Sequence, residues 1–147
     1  SLQSWAKHTF GSPGEISRDW HGELNREGRT LQLRKSNHWS PPYTRCDFTL
    51  QFFLARTDAV WSTVGGWANP LKCFGEHWEF FYRVKQAGLE VAFTMEAGVR
   101  HLPISNPEYA KHRFDREEQD MQKALALHDL DIIEFHSPEG VRRIESD

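Results

Sequence analysis

Cysteine is scarce in this sequence. Cys46 and Cys73 are its two thiols in 147 residues. That excludes a disulfide-stapled scaffold and leaves one bridge or two free thiols open. Long apolar runs are missing as well. No stretch of about 18 apolar residues occurs, which excludes a transmembrane helix within the chain. Surplus positive charge is also lacking: Lys and Arg number 18 against 21 Asp and Glu, for a net charge of -3 and a pI near 6.2. The overall basic footprint of a nucleic-acid-binding protein is therefore absent. No internal repeat or low-complexity tract is present. The chain begins Ser-Leu-Gln-Ser-Trp, without Met or a signal peptide, and reads as a cut from a longer protein.

Aromatic rings are plentiful: 13% of the residues, with 6 Trp and 10 Phe. Rings bury enough area to offset chain entropy, so the chain is globular rather than disordered.

Residues 1–22 show no period. A hairpin is expected from Glu23 to Arg34, turning at Asn25-Arg26-Glu27-Gly28. Pro41-Pro42 removes two amide donors and makes a loop of 36–45. Phe48 to Ala55 is the strongest strand. Phe48, Leu50, Phe52 and Leu54 share one face and Phe53 and Ala55 the other, the pattern of a central strand. Thr57 or Asp58 caps a short helix, Ala59–Val64, that Gly65-Gly66 stops. A helix starts at Glu76, whose charge suits the first turn. Phe80, Phe81, Val84 and Ala87 form its apolar stripe and Gly88 ends it. Phe52, Phe53, Phe80 and Phe81 are expected in the core. Glu90–Met95 reads as a strand and Gly98–His101 as a second. Ser105-Asn106-Pro107 opens one long polar helix running past Leu125. The tail holds one strand, Asp131–Phe135, then a charged end. This order predicts an α/β or α+β domain.

The chemistry concentrates between Asp47 and Pro103. Glu76, His77 and Glu79 stand at a helix start, and His101 stands at a strand end. General acid-base work needs such groups close together and outside a dry core. An imidazole titrates near neutrality and suits proton transfer or metal ligation. Two plainer readings stay open. Glu79 pairs with Arg83 at i,i+4, or Cys73, His77 and His101 hold zinc, for which no fourth ligand is evident.

Several pieces of this block resemble a known family. They are Gly65-Gly66-Trp67, Phe74-Gly75-Glu76-His77-Trp78-Glu79-Phe80, Arg83, Ala87-Gly88 and Val99-Arg100-His101. Together they are similar to the second half of inverting glycosyltransferases of the GT-A fold. The run Asp47-Phe48-Thr49-Leu50-Gln51-Phe52-Phe53-Leu54-Ala55-Arg56-Thr57-Asp58 looks like one found in β1,4-N-acetylgalactosaminyltransferases. His77-Trp78-Glu79-Phe80-Phe81 looks like their His-x-Glu-Phe-Phe. The resemblance spans roughly residues 22–125.

The resemblance implies a partial GT-A fold, a mixed sheet flanked by helices. The 147 residues would be a single domain or the C-terminal part of a catalytic domain. The implied activity is transfer of a hexose, N-acetylgalactosamine by the nearest likeness, from a UDP-sugar donor to a glycan acceptor. His77 matches the position of the base, with Glu76 and Glu79 orienting it or the acceptor. Asp47, Gln51, Trp67 and Trp78 would bind substrate. His101 matches a ligand of a divalent metal, Mn2+ by family habit. The family's Asp-x-Asp does not precede residue 47, and the sequence has it only as Asp129-Leu130-Asp131, so the donor-binding half is expected to be absent. The alternative is a non-catalytic glycan- or protein-binding fragment of the same origin. The implied location is the Golgi lumen for an animal source and the cytoplasm for a bacterial one.

Overall fold

The structure is a computed structural model that describes residues 21–49, 53–72, 74–96 and 106–147. Alternating leucines build its first elements. β1 (His21–Glu27) and β2 (Thr30–Lys35) form an antiparallel hairpin that buries Leu24, Leu31 and Leu33. Its turn is Gly28-Arg29, with Glu27 opposite Thr30, and not the expected 25–28. A two-residue hairpin turn needs a positive φ, and Gly28 supplies it at φ 58.

β6 (Ile132–Ser137) lies parallel to β2, and β7 (Gly140–Glu145) returns antiparallel to β6. β4 (Phe48–Thr49) flanks β1, giving the sheet order β4-β1-β2-β6-β7. A separate antiparallel pair joins β3 (Thr44–Cys46) to β5 (Val91–Phe93). The chain is α/β, a mixed sheet flanked by helices.

The helices follow their punctuation. The short π-wound α1 (Ala59–Val64) stops at Gly65, φ 82. Asp58 does not cap it through its side chain; that carboxylate pairs with Arg56 at 2.6 Å. α2 (Glu76–Gln86) ends as expected at Gly88, where Leu89 N–H reaches Val84 O at 3.2 Å and Gly88 N–H reaches Lys85 O at 2.9 Å. Asn106 caps α3 (Pro107–Asp115), its side chain accepting from Glu108 and Tyr109 N–H at 2.9 and 3.2 Å. The expected single long helix is two. Arg116 interrupts it by bonding back to Arg113 O, three residues away, before α4 (Glu117–Leu127) resumes.

Trp78, Phe80, Phe81 and Tyr82 of α2 and Met121, Ala124 and Leu125 of α4 share one core with the sheet leucines and Ile133. The strand expected over 48–55 is corrected. Among the described residues β4 is two residues long and lies at the sheet edge, 53–56 carry no regular structure, and Leu54 is 89% exposed. Phe53 instead joins an aromatic cluster, 5.6 Å from Phe80 and 5.2 Å from Phe81 between ring centroids. Ala87 is exposed and drops out of the α2 stripe. The charged tail forms β7, which the expected elements omitted. Leu50, Phe52 and the expected strand 98–101 lie outside the described residues.

Candidate functional site

Helical spacing sets the first layer. Glu79 and Arg83, four apart on α2, face the same way, and Arg83 binds the carboxylate with two prongs: Nε to Oε1 at 2.7 Å and Nη2 to Oε2 at 2.9 Å. The remaining Arg83 donors reach back to the loop after α1, to Val64 O and to Gly66 O at 2.7 Å. His128, just past α4, bonds Glu79 Oε1 through Nε2 at 2.8 Å. Glu79 is 1% exposed. Burial pushes its carboxyl up, but the His128 and Arg83 bonds outweigh that and hold it below the ordinary glutamate range.

This anchored loop presents Trp67 beside the start of α2. The indole is 44% exposed. It packs 4.7 Å from the Phe80 ring and meets His77 edge-on at 5.4 Å. His77 is half-buried, and its Nδ1 lies 3.2 Å from Glu76 Oε1. Burial pushes the Glu76 carboxyl up, and the His77 contact, its own N–H and the charge of Arg113 bring it below its ordinary range. Arg113 lies over the Phe74 ring at 4.9 Å. The contact sets a carboxylate beside the Nδ1 side of an imidazole, the two groups that a base and its orienting acid require. No hydrogen bond to His77 Nε2 is present among the described residues.

The structure thus brings His77, Glu76 and Trp67 together. Glu79 stands behind them as an internal anchor, matching the plainer Arg83 pairing. Trp78 is 3% exposed and belongs to the core; it offers no face for stacking. Asp47 is a pin between elements: its Oδ2 accepts from Leu24 N–H at 2.8 Å and Lys85 Nζ at 2.7 Å. Gln51 and His101 lie outside the described residues. His128 escaped the sequence reading, because no local pattern joins it to a residue on another helix.

Arg29 bridges Asp129 and Asp131 at 3.0 and 2.8 Å, so a guanidinium stands where that Asp-x-Asp would hold a cation. No group of three or more His, Cys, Asp or Glu side chains is placed for a metal among the described residues. His101, the ligand that the resemblance implies for Mn2+, lies outside the described residues. Cys46 carries a free thiol, pushed up to about 11 by burial and by Asp47; Cys73 lies outside the described residues. No described helix is long and apolar enough to cross a membrane. No protein-family model, curated protein or solved structure matches the chain.

Proposed function

We propose that the chain is the acceptor side of an inverting glycosyltransferase of GT-A type. His77, oriented by Glu76, takes the proton of an acceptor hydroxyl, and Trp67 stacks on the acceptor sugar. The carrying observation is the Glu76–His77 contact at 3.2 Å beside an exposed indole. The resemblance around Gly65-Gly66-Trp67 and His77-Trp78-Glu79-Phe80-Phe81 supports the reaction class. In the step, the acceptor oxygen bonds to the anomeric carbon of a UDP-sugar. The bond to the diphosphate breaks with its electron pair, and the acceptor proton passes to His77 Nε2. No part of the donor site and no metal ligand is assigned to the described residues.

Transfer from UDP-sugars to oligosaccharide acceptors tests this in the native protein. His77→Ala is expected to slow transfer by about 10²–10⁴-fold while leaving acceptor affinity nearly unchanged. Trp67→Ala is expected to weaken the acceptor instead. An unchanged rate in His77→Ala removes the base role. Glycan binding that depends on Trp67, with no transfer from any UDP-sugar, would favour the non-catalytic alternative. Saturable UDP binding that requires manganese would put a donor site inside this chain.

A further inference from the structure

We infer that His128 is a positioning residue that fixes the Gly65-Gly66-Trp67 loop through Glu79 and Arg83; its consequence for sugar binding rests on the acceptor reading above. The loop needs such a tie. Gly65 and Gly66 both take left-handed backbone, at φ 82 and 73, and Trp67 follows them directly. Two successive glycines allow the chain many other paths. The α1 side contributes two bonds, both to Val60 O, from Gly65 N–H and from Gly66 N–H at 2.8 Å. Arg83 holds the carbonyls of Val64 and Gly66, one on each side of Gly65.

Arg83 is in turn aimed by Glu79, and Glu79 by His128. Oε1 of Glu79 is shared between Arg83 Nε and His128 Nε2. With 1% of the residue exposed, water has little access to replace the imidazole. His128 itself is held from two sides. The Tyr82 ring meets it edge-on at 5.0 Å. Arg26 donates through Nη1 to both Tyr82 Oη at 2.9 Å and His128 O at 3.3 Å. The hairpin and the end of α4 are thereby coupled to the exposed indole, though the contact between His128 and the loop runs through two side chains. A carboxylate with a third fixed donor keeps one orientation, and the guanidinium fork, being planar, transmits that orientation to the carbonyls.

The test compares His128→Phe, which keeps a ring against Tyr82 but has no donor, with His128→Gln, which restores one. The readouts on the full chain are amide hydrogen exchange, the Trp67 indole N–H resonance and binding of N-acetyllactosamine. In His128→Phe the Gly65 and Gly66 amides, both bonded to Val60 O, are expected to exchange about 10- to 100-fold faster, the span that loss of one bond to a charged group allows. The Trp67 resonance should shift, exchange in β2 and β6 should hold, and His128→Gln should return all of these toward wild type. His128→Asn, too short to reach Glu79, should free the loop as His128→Phe does and serves if the latter does not fold. Unchanged loop exchange, an equal rise in β2 and β6, or failure of His128→Gln to restore the loop would each overturn the inference. A freed loop in a chain whose wild type binds no N-acetyllactosamine supports the positioning role and counts against the acceptor reading alone.

Discussion

Glu79→Gln separates an anchor from a reagent. The side chain keeps its shape and loses its charge. In the wild type three donors converge on it: Arg83 Nε at 2.7 Å, Arg83 Nη2 at 2.9 Å and His128 Nε2 at 2.8 Å. The glutamine amide has one oxygen to offer, and its NH2 must face an N–H. Breaking a buried pair by removing one partner costs about 3–5 kcal/mol. Arg83 has 22% of its side chain exposed, so water relieves part of that loss, and the expected net cost is about 3 kcal/mol. For a chain of this size that lowers Tm by about 6–12 °C. Urea unfolding near neutral pH measures it directly. Acid supplies an independent sign. Glu79 is held below its ordinary value of 4.5 in the folded state. Its contribution is therefore complete above 4.5 and is lost as pH falls through the folded value. The stability gap between wild type and Glu79→Gln should narrow in that acid range. A gap under about 0.5 kcal/mol at neutral pH, within the ordinary scatter of surface changes, would refute the anchor. So would a gap that widens in acid.

Three other substitutions probe the neighbouring supports. Gly66→Ala puts a methyl group on a φ of 73, with its Cβ 2.6 Å from Trp61 Cζ3. Trp61 is exposed and can swing aside, so the backbone strain remains and the expected loss is about 1–2 kcal/mol, read by thermal unfolding; no loss would show that the loop relaxes freely. Asp47→Ala should cost about 1–3 kcal/mol, because the Leu24 N–H loses its acceptor, and Asp47→Asn under about 1 kcal/mol, because its oxygen still accepts and the Lys85 pair is partly solvated. Wild-type stability in both, with lost sugar affinity, would return Asp47 to a substrate contact. Asn106→Ala should cost about 1 kcal/mol as a lost cap, with faster exchange confined to the first turn of α3; equal exchange would mean that helix is held by packing alone.

What could be read from the sequence was whatever a few adjacent residues decide. The Gly88 stop of α2 and the Asn106 cap of α3 are such features, since the residues that close each hydrogen bond lie within one turn. Trp78 was misassigned to substrate, although its place on the helix carries the signal that corrects it. With Phe81 and Tyr82 it occupies i, i+3 and i+4 of α2, a core stripe, whereas Trp67 follows two glycines in a loop and so stays exposed. The strand expected from 48 to 55 begins as expected at Phe48 but does not include 53–55, because alternation does not reveal what lies beside it. Phe53 found its partners on α2, an aromatic cluster that no period in residues 48–55 announces. β7 failed for a related reason: Gly140–Glu145 is charged, and its alternation matters only once β6 offers an edge.

The same division runs through the candidate site. Glu76, His77 and Trp67 carry recognisable chemistry and lie near one helix start, so residue type and order were enough to nominate them. Glu79 satisfied the same pattern equally well, and the pattern cannot tell a carboxylate that faces a substrate from one that faces an arginine. Burial decides it. An acid at 1% exposure with three donors is already committed within the fold, and the donor that completes the set, His128, arrives from just past the end of α4, 49 residues further along. Side chains that meet substrate can be named from a local motif. The ones that aim them come from the closure of distant elements, which is why the His128 substitutions probe the site at the point where the sequence was silent.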